Sequence, residues 1–155
     1  LIMAFQRTLL LASALAVASQ PALAGTRASA QILYSDDPQE RAFQQSAGFS
    51  DAVILADGTI YLSGIVVGPE ADTAAYERAY RRIGAILTRA GASWDDVVDI
   101  TSFHTDIEPQ VAVMSEVQKQ FVTVPYPAWT AVQVSRLYLE AAKTEIKVVA
   151  KRQAR

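Results

Sequence analysis

Two apolar runs, Ala52 to Leu55 and Ile60 to Ser63, flank Ala56-Asp57-Gly58-Thr59. β-Branched and aromatic runs around Asp-Gly predict an antiparallel hairpin closed by a tight turn, with positive φ at both central positions. Beyond Gly68-Pro69 the apolar spacing lengthens from two to 3.6. Ala75, Ala79, Ile83, Ile86, Leu87 and Ala90 share one face of a helix over about residues 73–90, with Asp72 as N-cap and Gly91 just past its end. Arg78, Arg81, Arg82 and Arg89 fall largely on the other face, where solvation is expected. After a turn at 93–96, residues 97–104 read as a third strand. A second helix over about 107–122 follows, opened by Asp106 and Pro109, striped by Val113, Met114, Val117 and Phe121, and stopped by Pro125 and Pro127. Strands over about 129–137 and 144–151 close the chain. The order ββαβαββ predicts an α+β domain with two helices on one face of a mixed sheet. Its other face, to which Ile54, Tyr61, Val132 and Val134 are assigned, is too apolar to stay wet, so a homo-oligomer is expected.

The N-terminal residues stand apart from this pattern. Met3 to Ala24 reads as a basic n-region with Arg7, an apolar run from Leu9 to Ser19 and an Ala-x-Ala site, a secretory signal peptide. About a dozen apolar residues fall short of the roughly 20 a spanning helix needs. A mature protein starting at Gly25, periplasmic or secreted and free of the membrane, is therefore expected. Residues 25–45 are polar apart from Ile32-Leu33-Tyr34 and read as an arm leading into a domain over 46–155.

Composition narrows the chemistry. The 155 residues suit one domain, and the absence of Cys excludes disulfides, thiolate nucleophiles and zinc-thiolate or iron–sulfur ligation. A single His excludes a multi-histidine metal centre. Without residues 1–24, which contribute only Arg7, 13 basic residues face 16 acidic ones and the net charge is −3. A nucleic-acid partner is not expected, because no basic cluster precedes the terminal Lys151, Arg152 and Arg155, which read as a solvated tail.

Ordered landmarks then carry a resemblance. Gly48-Phe49, Tyr61-Leu62-Ser63-Gly64, Ala90-Gly91-Ala92-Ser93, Tyr126-Pro127-Ala128-Trp129-Thr130-Ala131-Val132, Val134-Ser135-Arg136-Leu137 and Thr144-Glu145-Ile146 follow one another along the chain. From Gly48 onward it resembles the reactive-intermediate deaminase (Rid, YjgF or UK114) family, as a divergent exported member. The resemblance implies a chorismate-mutase-like fold and a homotrimer whose sheets form an inner barrel, with three small-molecule pockets between subunits. It also implies hydrolysis of enamines and imines to 2-oxo acids and ammonia, without metal or organic cofactor.

The resemblance places the site residue by residue. Deaminating members carry an Arg after Pro-Ala or Pro-Ser that grips the substrate carboxylate; here Trp129 stands at that position. A guanidinium makes two charge-assisted hydrogen bonds to a carboxylate, whereas an indole offers one neutral N–H and an apolar face. A hydrogen bond to a charged group contributes about 1.5–3 kcal/mol, so losing the fork weakens carboxylate binding by roughly 10- to 150-fold. A 2-imino acid is then a poor substrate. Glu145 matches the family's acidic residue and is the candidate catalytic base for the attacking water. Ser63 and Gly64 match the loop offering a hydroxyl and backbone groups to the ligand. Phe49 matches an aromatic wall that is usually Tyr; Ser115 falls where some members carry Asn and is read only as helix surface.

Other residues are read as structural. His104, alone on its strand, is expected to be hydrogen-bonded or simply exposed rather than an acid–base group. Arg136, seven residues after Trp129, is expected on the opposite face of the same strand, a doubtful replacement for the clamp, which leaves a neighbouring subunit's Arg or Lys143 as the source of charge across an interface. Three functions stay open: a divergent enamine or imine hydrolase using Glu145, a non-catalytic small-ligand-binding protein, and a stress-protective trimer. An endoribonuclease role is disfavoured by the negative charge.

Overall fold

A computed structural model describes residues 25–152, so the expected signal peptide and Arg155 lie outside the described residues. The Asp-Gly hairpin forms β2 (Ala52–Ile54) and β3 (Thr59–Leu62), paired Ala52 to Leu62, Val53 to Tyr61 and Ile54 to Ile60. Its turn differs from expectation: of the turn residues only Gly58 takes positive φ, at 87°. Gly58 N donates to Leu55 O and Leu55 N to Thr59 O, which makes a three-residue turn ending in a left-handed glycine. Asp57 accepts instead from Lys151 Nζ at 2.8 Å and Thr59 N at 2.9 Å, and these bonds hold its carboxyl at about 2.

The remaining strands are β4 (Ile65–Val67), β5 (Val97–His104), β6 (Ala128–Gln133) and β7 (Thr144–Lys151). With β1 (Gln31–Leu33) they make a seven-stranded sheet in the order β1-β2-β3-β7-β5-β6, β4 pairing with β7 beyond the end of β3. Among the described residues only β5 and β6 run parallel. Along β7, Tyr61 faces Val149 and Ile65 faces Ile146, so Leu62, Ser63 and Gly64 oppose only Lys147 and Val148. This is a β-bulge, and it brings the Gly64 backbone against β7.

The predicted helices are α2 (Thr73–Arg89), whose N-cap Asp72 accepts from Ala75 N, and α3 (Ile107–Gln118), shorter than expected. Phe121 N and Val122 N both donate to Gln118 O, curling the chain into a turn before the prolines are reached. Both helices cover one sheet face, burying Tyr76, Tyr80, Ile83, Leu87 and Met114 against Ile60, Ile100, Ile146 and Val148. Tyr61, Val66 and Val132 lie on the other face, 45%, 39% and 39% exposed. Ile54 belongs to the covered face, 2% exposed, because its partner is Ile60. Residues on both sides of β2 are apolar, so the pattern could not tell its faces apart.

Residues 25–47 do more than lead in. A 3-10 turn at Thr26–Ser29 precedes β1, which pairs with β2, and α1 (Pro38–Ala47) follows. Asp37 caps α1 by accepting from Gln39 N and Glu40 N, Pro38 fits its first turn, and Gly48 ends it at φ 78°. The arginine face of α2, expected to be solvated, holds this segment. Arg89 donates to Asp51 at 2.9 Å and to Tyr34 O, and pairs with Asp36 at 3.0 Å, while Arg82 pairs with Glu40. Asp51 is buried and also accepts from Gln44 Nε2 at 2.7 Å. Arg89→Ala leaves that carboxylate buried without its cation, with an expected loss of about 2–4 kcal/mol. Urea unfolding checks this, and an unchanged midpoint would show that the cluster does not anchor α1.

The basic C-terminus is not a solvated tail within the described residues. Lys151 pairs with Asp57, and Arg152 Nη1 donates to Ala90 O at 3.0 Å, closing the end of α2. No helix among the described residues is long and apolar enough to cross a membrane.

Candidate functional site

Glu145 leaves β7 on the open face, opposite Phe103 of β5 and Val66 of β4. It leans over the bulge: a Cβ added to Gly64 would lie 1.9 Å from Glu145 Oε1 and 2.7 Å from its Cγ. Only glycine leaves that space. A cavity of about 560 Å³ opens here, lined by Glu145, Ser63, Gly64 and Phe49, so these four expected site residues come together. Sequence reasoning missed Phe43 of α1 and Tyr138-Leu139 beyond β6, which also line it. Asp37-Pro38 ahead of Gly48 signals α1 and could have drawn attention to Phe43; nothing comparable marks Tyr138.

The polar groups of this cavity are few. Ser63 Oγ donates to Ser50 O at 2.6 Å, so the hydroxyl expected to meet a ligand ties the loop to its neighbour. Phe49 meets Phe43 edge to face at 5.7 Å and brings no hydroxyl. Glu145 makes no side-chain hydrogen bond or ion pair among the described residues, and it is the one charged side chain lining the cavity. Arg136 lies past the end of β6, so strand alternation does not apply to it. It donates to Leu137 O and Tyr138 O, bracing the loop that carries Tyr138.

Trp129 lies elsewhere. On β6 it is level with Ile100, on the helix-covered side, and it lines a separate cavity of about 280 Å³ with Ser115, Lys119 and Tyr126. Its indole Nε1 donates to Ser102 Oγ at 3.0 Å. Ser102 is fully buried and bonds His104 Nε2 at 2.8 Å; His104 Nδ1 meets Thr144 Oγ1 at 3.2 Å; and Thr144 bonds Tyr76 Oη at 2.6 Å and Gln110 Oε1 at 3.2 Å. With Thr144 donating to Gln110, it accepts from Tyr76 and from His104 Nδ1–H, and Ser102 donates to Nε2. Every proton in the chain is then used, and the imidazole is neutral. Trp129 and Glu145 therefore occupy different cavities on opposite faces of one subunit's sheet.

His104 is a structural residue of this network, as its isolation in the sequence suggested. Burial lowers its pKa below 6.5. Below pH 6.5 the unfolded chain binds a proton that the folded chain resists. Stability is therefore complete above that pH and falls as the pH drops towards the folded-state value, by at most about 1.4 kcal/mol per unit. It is the chain's single histidine, so its NMR Hε1 resonance is unambiguous. Its midpoint should lie clearly below 6.5; a midpoint at or above 6.5 contradicts the neutral network.

The open-faced α+β sheet, with α2 and α3 on one side and its carboxylate beside a bulge, defines a chorismate-mutase-like subunit. Residues 39–152 match the family model described as Endoribonuclease L-PSP. The chain is 38% identical over 107 residues to RutC family protein YjgH of Escherichia coli, covering 64% of this chain and 80% of that protein. It is 34% identical over 112 residues to human 2-iminobutanoate/2-iminopropanoate deaminase, covering 66% and 78%. The crystal structure of Rv2704 from Mycobacterium tuberculosis, a member of the YjgF/YER057c/UK114 family, aligns with TM-score 0.68 at 29% identity, over 80% of this chain and 100% of that one. The structure of protein YJGH aligns with TM-score 0.68 at 30% identity, over 82% and 99%. The chain belongs to the YjgF/Rid family.

Proposed function

We propose that three copies of this chain assemble through their open faces and hydrolyse a small imine or enamine in pockets between subunits. Substrate preference differs from that of the 2-imino acid deaminases because Trp129 replaces the carboxylate-binding Arg. One observation carries this reading: each subunit holds two separated half-sites, Glu145 with Phe49, Ser63 and Gly64 in one and Trp129 with Ser115 in the other. A site that uses both needs a second copy, and the exposed Tyr61, Val66 and Val132 give the open face a reason to be covered.

In the pocket, Glu145 accepts a proton from water as the water oxygen attacks the C=N carbon. With the imine protonated, Glu145 passes that proton to the carbinolamine nitrogen and takes the hydroxyl proton as the tetrahedral species collapses; the C–N bond breaks, a carbonyl compound forms, and the departing ammonia takes up the proton left on Glu145. These steps ask for a carboxylate, a water and a shaped apolar cavity. The leader-like residues 3–24 support export, so we place the mature trimer in the periplasm or outside the cell. The net charge of −2 and the absence of a basic cluster speak against RNA as substrate.

A second reading, ligand binding without chemistry, is favoured by the engagement of Ser63 with Ser50, which among the described residues leaves Glu145 as the cavity's one charged side chain and Tyr138 as its one free hydroxyl. Ammonia release separates the two. Purified protein added to imines formed in situ by an amino-acid or amine oxidase should speed ammonia release above the uncatalysed rate, and sedimentation should give the mass of a trimer. Release at the background rate with every imine removes the hydrolase reading, and a monomer removes the shared pocket.

A further inference from the structure

We propose that the ligand of this site is cationic and carries no carboxylate: the iminium of a primary aralkyl amine rather than of an amino acid. The inference rests on the hydrolytic reading above and names the substrate class of the same pocket.

Three observations converge on it. The Glu145 cavity holds one charged side chain, a carboxylate without a partner among the described residues, and its walls include Phe43, Phe49 and Tyr138. A carboxylate among aromatic rings attracts a cation through charge and through the ring quadrupoles, and repels an anion. The rings and Leu139 give an apolar ligand body surface to cover. Finally, Trp129 cannot stand in as a donor for an anion. Its N–H is spent on Ser102, itself fixed in the buried chain through His104 and Thr144, so the indole offers a ligand only its apolar face.

Among the described residues no cation lines the Glu145 cavity within one subunit: Lys147, two residues along β7 on the same open face, is absent from its lining, and two other cations lie nearby. Lys119, in the Trp129 cavity, is bonded to Glu116 at 2.7 Å. Arg27 lines an adjoining cavity of about 590 Å³ that shares Phe49 and Ser63 with the Glu145 cavity, and it is absent from the latter's lining. Both enter the test as variants.

The reaction balances without a redox partner. Water adds oxygen to the iminium carbon, the C–N bond breaks, and the products are an aldehyde and ammonium. The supplying reaction is then the two-electron oxidation of a primary amine by an upstream amine oxidase, and the consuming one acts on an aldehyde rather than a 2-oxo acid.

Calorimetry with stable probes tests the ligand class without relying on turnover. 2-Phenylethylammonium should bind the wild-type protein at least tenfold more tightly than phenylalanine or phenylpyruvate, and Glu145→Gln should abolish most of that preference. Equal or tighter binding of phenylpyruvate, no binding of any probe, or a preference that survives Glu145→Gln overturns the proposal. So does acid binding that disappears in Lys119→Gln or Arg27→Gln, because a working anion clamp would then exist. Turnover isolates the underlying reading. Amine preference with no ammonia release from either imine rejects hydrolysis and keeps the ligand class; faster release from the 2-imino acid rejects the ligand class and keeps hydrolysis.

Discussion

Glu145→Gln should slow the proposed imine hydrolysis by about 10²–10⁴-fold, the usual contribution of a positioned general base, while the state of assembly and the unfolding midpoint stay unchanged. The amide keeps the shape of the side chain and cannot take a proton from water. Because Glu145 makes no bond that the fold depends on among the described residues, the loss falls on kcat. Gly64→Ala reaches the same end through space: its Cβ would overlap Glu145 Oε1 and crowd Cγ, forcing the carboxylate out of the cavity. Its turnover should fall nearly as far. Ammonia release under saturating imine reads both variants, and a Glu145→Gln enzyme within threefold of wild type would move the chemistry elsewhere.

Trp129→Arg should raise the affinity for a 2-oxo acid and the hydrolysis of 2-imino acids by roughly 10- to 150-fold, the value of a restored guanidinium fork. The substitution is local, since Trp129 lies on an edge strand beside a cavity of about 280 Å³. Ser102 loses the indole N–H but still donates to His104, which limits the damage to the buried chain. Trp129→Phe is the control: it removes the N–H without adding charge, so stability should drop by about 1 kcal/mol and acid affinity should not move. If Trp129→Arg leaves 2-imino acids untouched while the trimer remains intact, residue 129 does not face the reacting pocket of a neighbouring subunit.

The long periodic elements were legible in the sequence. β5 and β7 span the expected residues, α2 begins at its Asp72 cap, and β2 and β3 pair around Asp57-Gly58. Each has enough regularly spaced apolar residues for its period to be read locally. α1 was not legible in that way, because Pro38 to Ala47 is mostly polar and is held by Gln44, Glu40 and the distant Arg82 and Arg89. β4 has three residues and follows a bulge that breaks the alternation, so it is too short for its period to be read. Phe43 and Tyr138 reach the cavity only because these segments fold back onto the sheet.

By itself the sequence determined the family, the α+β class and the run of long elements from the Asp57-Gly58 hairpin to β7, and that residue 129 is Trp, since these depend on residue identity and local period. Only the tertiary structure decided that Glu145 stands over Gly64 with aromatic neighbours, while Trp129 turns to the other face and gives its N–H to Ser102. The physical reason is that a side chain's face depends on strand register, and register here is set by a bulge and by pairing between residues far apart in the chain.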